Sequence, residues 1–205
     1  MNGTIVAGAL FTAASLGFGV VGYYLLSEEL RSVSRAEPYR PGREAGEWVA
    51  VEGNVTDQNA ILTHTFVHAA RERYAKGSGT STGSWRASEV FVQPLELALA
   101  GGQGRIRVES GTPCERGAHL KTVDLPRSGD ELERMRGLER GAPLTAIGAL
   151  VPGSPPTLKA AILYADTREG YAADLRSGFT SLAVFAGAMV LVGLAIVAKG
   201  VWWSA

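Results

Sequence analysis

Gly178 to Ala198 reads GFTSLAVFAGAMVLVGLAIVA, 21 residues without a charged side chain. At about 1.5 Å of rise per residue, a helix of this length spans roughly 30 Å, the thickness of a bilayer's hydrocarbon core. Length and composition predict a transmembrane helix over 178–198. A second uncharged run, Met1 to Ser27, stands at the other end of the 205-residue chain and predicts another over 1–27. What lies between them is a domain tethered at both ends. The first run is read as a span and not a cleaved signal, because it has no Lys or Arg in an n-region and its apolar stretch exceeds an h-region.

Between the spans lie about 150 residues, the usual size of one domain with one modest core. The 20 basic and 20 acidic residues cancel, which removes the electrostatic motive for binding nucleic acid. The single cysteine, Cys114, cannot make an intrachain disulfide.

Within the first span Gly8, Thr12, Ser15, Gly19 and Gly22 follow at spacings of four, three, four and three. They form one stripe of small side chains against which another helix can pack closely in lipid. The span also contains Gly17-Phe-Gly19-Val-Val-Gly22, a literal match to the dinucleotide-binding pattern. That pattern needs a preceding strand and an accessible turn, so here it carries no function. Tyr23 and Tyr24 close the first span, and Trp202 and Trp203 follow the second, where amphipathic rings favour the headgroup layer.

Residues 28–46 are charged and interrupted by Pro38, Pro41 and Gly42, and read as a stalk in which Glu28 to Arg35 can prolong the first helix. The soluble domain is expected over 47–177. Alternating valines predict a strand over 48–55, and Leu62, His64, Phe66 and His68 on one face with Ile61, Thr63, Thr65 and Val67 on the other predict a second over 61–74, followed by a Gly/Ser/Thr hairpin tip over 76–84. A Pro94-interrupted strand over 88–97 pairs with 105–109 across the turn at 101–104, and 111–127 reads as loop. Asp130 to Arg140 predicts an amphipathic helix: Asp130 as N-cap, Glu133 completing a capping box, Gly141 ending it, and Leu132, Met135 and Leu138 as its apolar face. Strands over 144–151 and 158–164 complete the domain, and a tail follows at 199–205. The expected fold class is a membrane protein with two transmembrane helices flanking one β-rich α+β domain.

Two segments resemble a known family. Val49-Ala-Val-Glu-Gly-Asn-Val55 and Leu138-Glu-Arg-Gly-Ala-Pro-Leu-Thr-Ala-Ile-Gly-Ala-Leu-Val151 are similar to the opening and the closing helix, turn and strand of the GIDE (beside-a-membrane, BAM) domain. This domain occurs in mitochondrial-anchored ubiquitin ligases and their prokaryotic relatives. The resemblance implies two spans around a compact β domain beside the membrane, a small barrel similar to an OB fold. The ligases also carry a zinc-binding RING. One cysteine and three histidines cannot supply its eight ligands, so ligase activity does not carry over.

Chemistry is sparse. His64 and His68 stand four apart, but on a strand they are separated by roughly 13 Å, too far to share one ion. Cys114 and His119 are the other candidate ligands, and neither site nor second shell emerges, so no metal is expected. Glu28, Glu29, Glu96 and the group Asp130, Glu131 and Glu133 have no histidine or serine at catalytic spacing, and neither a G-x-S-x-G elbow nor a phosphate loop is present. No catalytic residue, cofactor site or metal site is assigned.

The expectation is a non-catalytic accessory subunit of a larger integral-membrane complex, such as a respiratory or photosynthetic one. Its partners would be membrane subunits and the bilayer, not nucleic acid. The alternative is a membrane-tethered adaptor or ligand-binding module that takes a peptide at an exposed edge near Gln93 and Pro94. Arg31, Arg35, Arg40, Arg43, Arg168 and Arg176 flank the spans on the domain side, against Lys199 on the other. By the positive-inside rule the domain is expected in the cytoplasm, at a bacterial inner membrane.

Overall fold

Two long apolar helices bracket a β-rich domain in the computed structural model, which describes residues 3–76, 83–102, 104–126, 132–153 and 155–202. Helix α1 spans Gly3–Arg35 and α2 spans Arg168–Trp202. Each is long and apolar enough to cross a membrane, and in each only 6% of the most apolar window is buried. The chain divides into one unit of Met1–Ser34 with Ala172–Ala205, and a second of Arg35–Tyr171.

In the first unit the helices pair antiparallel. Ile5 meets Gly200, Gly8 meets Val197, Thr12 meets Gly193, Gly19 meets Ala186 and Gly22 meets Leu182. Each step up α1 is matched, to within one residue, by a step down α2, so contact persists for about five turns. Glycine permits this approach: a Cβ at Gly8 would lie 2.7 Å from Val197 Cγ2 and 2.9 Å from the Val197 backbone nitrogen. Tyr23 packs edge-on against Phe179 at 5.4 Å between centroids, and Phe18 against Phe185 at 6.3 Å.

The second unit holds ten strands among the described residues: β1 (Glu37–Pro38), β2 (Trp48–Val55), β3 (Phe66–Lys76), β4 (Gly83–Phe91), β5 (Leu95–Leu99), β6 (Arg105–Glu109), β7 (Lys121–Asp124), β8 (Glu133–Glu139), β9 (Pro143–Val151) and β10 (Thr157–Tyr164). One sheet runs β1-β2-β5-β6-β10-β9, and β9 pairs again with β2, closing a five-stranded barrel. All its pairings are antiparallel except β6 with β10, and β1 joins β2 in parallel outside the ring. Val49, Val51, Leu95, Leu97, Ile106, Val108, Leu144, Ala146 and Leu158 fill the interior. A second sheet, β4-β3-β8-β7, is built from the two segments that interrupt the barrel.

Several expectations change. Residues 28–35 continue α1, and the rest of the expected stalk lies along the barrel: β1 pairs with β2, Tyr39 N–H donates to Ala50 O (2.8 Å) and Gly46 N–H to Leu150 O (2.8 Å). Arg43 ties this segment down by bridging Glu37 and Glu47. The strand expected from residue 61 begins instead at Phe66, after a tight turn in which His64 adopts φ 48°. The strand expected over 88–97 is two strands in different sheets, and Pro94 lies between them. Part of the expected loop 111–127 is β7.

The helix expected over 130–140 is the strand β8; Asp130 and Glu131 lie outside the described residues. Glu133, Met135 and Gly137 are buried while Arg134 and Arg136 are half-buried, a period of two. Pairing with β3 outweighs the local helix signal. The Glu133 carboxylate is taken by two β3 arginines, and Gly137 is required because a Cβ there would lie 2.5 Å from His68 O. A domain expected to be α+β is therefore β throughout. Apart from the ends of α1 and α2, its described residues are helical only in the 3-10 turn Ala100–Gly102.

Candidate functional site

The small-residue stripe is occupied. Gly8, Thr12, Gly19 and Gly22 face α2 of the same chain, while Ser15 bonds back to Phe11 O (2.8 Å) and lines a cleft of about 220 Å³ with Phe18 and Phe185. Tyr23 and Tyr24 are exposed near one end of the helix pair; Trp202, 84% exposed, is at the other, and Trp203 lies outside the described residues.

The sequence's candidate ligands are scattered. His64 sits in the turn before β3, whereas His68 is on β3 and 1% exposed, with neither ring nitrogen hydrogen-bonded. Burial pushes its pKa down to about 4. Cys114 is also buried, its thiol pushed up to about 11, and donates weakly to Arg116 O at 3.4 Å. His119 is half-exposed, 3.9 Å from Asp166. Among the described residues no three His, Cys, Asp or Glu side chains gather as a metal site would require.

The carboxylates are engaged structurally. Glu133, its side chain 4% exposed, accepts from Arg71 Nη2 (2.5 Å) and Arg73 Nη2 (3.0 Å), and these bonds hold its carboxyl below the usual range. Glu96 pairs with Arg105 at 2.8 Å, and Glu28 with Arg31 at 2.6 Å.

What the fold does assemble is a groove across the barrel. One hollow, about 420 Å³, has the β5–β6 surface at Glu96 and Arg107 as its floor, the loop Gln58 to Ala60 as one wall and Pro155 as another. A second, about 560 Å³, continues past Gln93 and Pro94, which line both, to Glu109, Ser110 and Lys159. Three chain segments thus converge: the loop after β2, the approach to β5, and the β9–β10 connection.

The walls are held by side-chain bonds to backbone. Asn59, 6% exposed, donates to Glu96 O (2.9 Å) and accepts from Glu96 N–H (2.8 Å), so its amide behaves as an added peptide unit beside β5. Arg140 donates twice to Asn59 O (2.9 and 2.7 Å). The Gln93 amide donates to Ala60 O (2.6 Å) and Val67 O (3.1 Å), leaving its oxygen as an acceptor. Gln93 and Pro94 were expected on an exposed edge strand; they are the junction between two sheets instead. Asn59 and Arg140 carry no local sequence signal, because their partners are 37 and 81 residues away.

Charges of both signs line the groove. Arg107 pairs with Glu109 at 3.2 Å, and Lys159 has no ion pair among the described residues. Ser110 is tied into a local turn with Thr112. No aromatic ring is among the lining residues. The groove can hydrogen-bond and ion-pair an extended ligand, but it lacks the stacking platforms that hold bases. The chain matches no protein-family model, and no curated protein or solved structure is significantly similar to it.

Proposed function

We propose that this chain is a two-pass membrane protein whose barrel is a non-catalytic recognition module for an extended peptide segment of a partner protein. The groove across β5 and β6 carries this reading. In five-stranded barrels of the OB type, ligands lie on the second and third strands between the first and last loops of the barrel. Taking β2, β5, β6, β9 and β10 as strands one to five, the order 1-2-3-5-4 is that of an OB-like barrel, and the groove occupies that face. Mixed charge and the absence of rings favour a peptide over a nucleic acid.

Membrane insertion is supported by exposure: Leu10, Leu16, Val20, Leu191 and Leu194 are all more than half exposed, which water would penalise and lipid would not. Trp202 stands opposite the start of α1, so the aromatic ends of the helix pair are separated by about 20 residues, or roughly 30 Å. The GIDE-like resemblance fits a barrel beside a membrane. Because α2 covers the small-residue stripe of α1, an accessory subunit of a larger membrane complex would hold its partner through the groove. The arginine asymmetry favours a cytoplasmic barrel. Labelling of Glu44→Cys by an impermeant maleimide in oriented vesicles tests this, against the silent background of buried Cys114.

The binding test uses the full chain in nanodiscs against a random peptide library. Enriched peptides should lose about tenfold in affinity to Lys159→Glu. Failure of any peptide to enrich, or tighter binding of oligonucleotides, refutes the reading.

A further inference from the structure

Apart from the groove, a further hollow, of about 210 Å³, lies between the β3-β4-β8 sheet and the loop carrying Cys114 to Arg116. Trp85 on β4 forms one wall, Ala70 and Ala87 leave space beside it, and Arg136 on β8 reaches it. Arg134 is stacked on the Trp85 ring, 4.1 Å from its centroid, and is already bonded to Glu72 at 2.6 Å. Glu72 is therefore spent, and the other acid at the hollow, Glu115, is exposed to solvent.

Arg136 differs from the other arginines in comparable surroundings. Five described arginines are half-buried, Arg43, Arg71, Arg134, Arg136 and Arg168, and the Arg168 backbone N–H donates to Glu52 Oε1 at 2.8 Å. Arg43 meets Glu47 at 2.8 Å, Arg71 meets Glu133 at 2.5 Å and Arg134 meets Glu72 at 2.6 Å, whereas Arg136 makes no ion pair or side-chain hydrogen bond among the described residues. A guanidinium partly removed from water needs an acceptor to offset its desolvation, and its planar fork matches a carboxylate. We infer that this hollow is a binding site for a small aliphatic carboxylate, with Arg136 holding the carboxylate and the short apolar part lying along Trp85 and the two alanines. The volume is below that of drug-sized pockets, roughly 300 Å³ and up, so the ligand has only a few heavy atoms. The site is separate from the groove and stands whether or not the groove binds a peptide.

The test uses the full chain in nanodiscs at constant ionic strength, following the Trp85 indole N–H resonance, identified by its loss in Trp85→Phe. Propionate should shift it saturably, and its neutral isostere propionamide should not. Arg136→Gln should weaken propionate by at least about tenfold, the loss of a bidentate charged pair. Should that variant not fold, Ala87→Leu, at an exposed position, fills the hollow while keeping the guanidinium and should also abolish the shift. Equal effects of propionate and propionamide, tighter binding of inorganic phosphate, or full propionate affinity in the folded variants would overturn the assignment.

Discussion

Acidification should destabilise the barrel domain through one residue, His68. The ring is 1% exposed and neither nitrogen has a hydrogen-bond partner, so the charged form has nothing to offset its lost hydration. Its folded pKa is about 4, below the ordinary histidine value of 6.5. Between those values the unfolded chain binds a proton that the folded chain refuses, so stability falls as pH drops through 6.5 and levels off below 4. The full difference is about 3 kcal/mol at about 1.4 kcal/mol per pK unit. At about pH 5 roughly 2 kcal/mol of it is already lost, equivalent to about 7 °C in Tm for a domain of this size. Thermal unfolding of the full chain in nanodiscs, read by near-ultraviolet circular dichroism between about pH 8 and 5, should show this loss. That range stays above the carboxylate region in which Glu133 and Glu47 titrate. In His68→Leu the slope should flatten, because the proton-accepting ring is gone. Parallel pH dependence of the two proteins, or an NMR titration of His68 with a midpoint near 6.5, would refute the reasoning.

Three further outcomes follow from the packing. Gly137→Ala should destabilise the domain by more than about 1 kcal/mol, since its Cβ meets His68 O at 2.5 Å; in a helix the same change would stabilise by about 1 kcal/mol, so the sign seen in thermal melts separates strand from helix. Gly8→Ile should part the helices at a cost of about 1–3 kcal/mol from overpacking, visible as loss of the disulfide that an Ile5→Cys/Gly200→Cys pair otherwise forms. Glu133→Gln should lower Tm at neutral pH by weakening its charged bonds to Arg71 and Arg73, and the difference from wild type should shrink as pH falls through the carboxylate range, where the native group also protonates.

Much of the candidate site was hidden from a sequence reading for one reason: its parts meet across long separations. Gln93 and Pro94 drew notice as a strand interruption, yet their place between two hollows depends on the loop at Asn59 and on Arg140, which reaches back 81 residues. Arg136 and Trp85 carry no motif, and only the β3-β4-β8 sheet brings them to one cavity. The stripe at Gly8 to Gly22 was visible as a packing face, but periodicity cannot say whose helix fills it.

Local pattern alone determined the two apolar helices, the β character of the middle and the hairpin of β5 with β6, because 21 uncharged residues and alternating valines leave few alternatives. Tertiary structure decided the rest. Barrel closure needs β9 to find β2, roughly ninety residues away, and no local preference encodes such a pairing. It also overruled the capping box expected at 130–133, since Glu133–Glu139 is β8. A cap is worth about 1 kcal/mol, less than a full ladder to β3 with Glu133 held between two arginines and Gly137 against a neighbouring carbonyl.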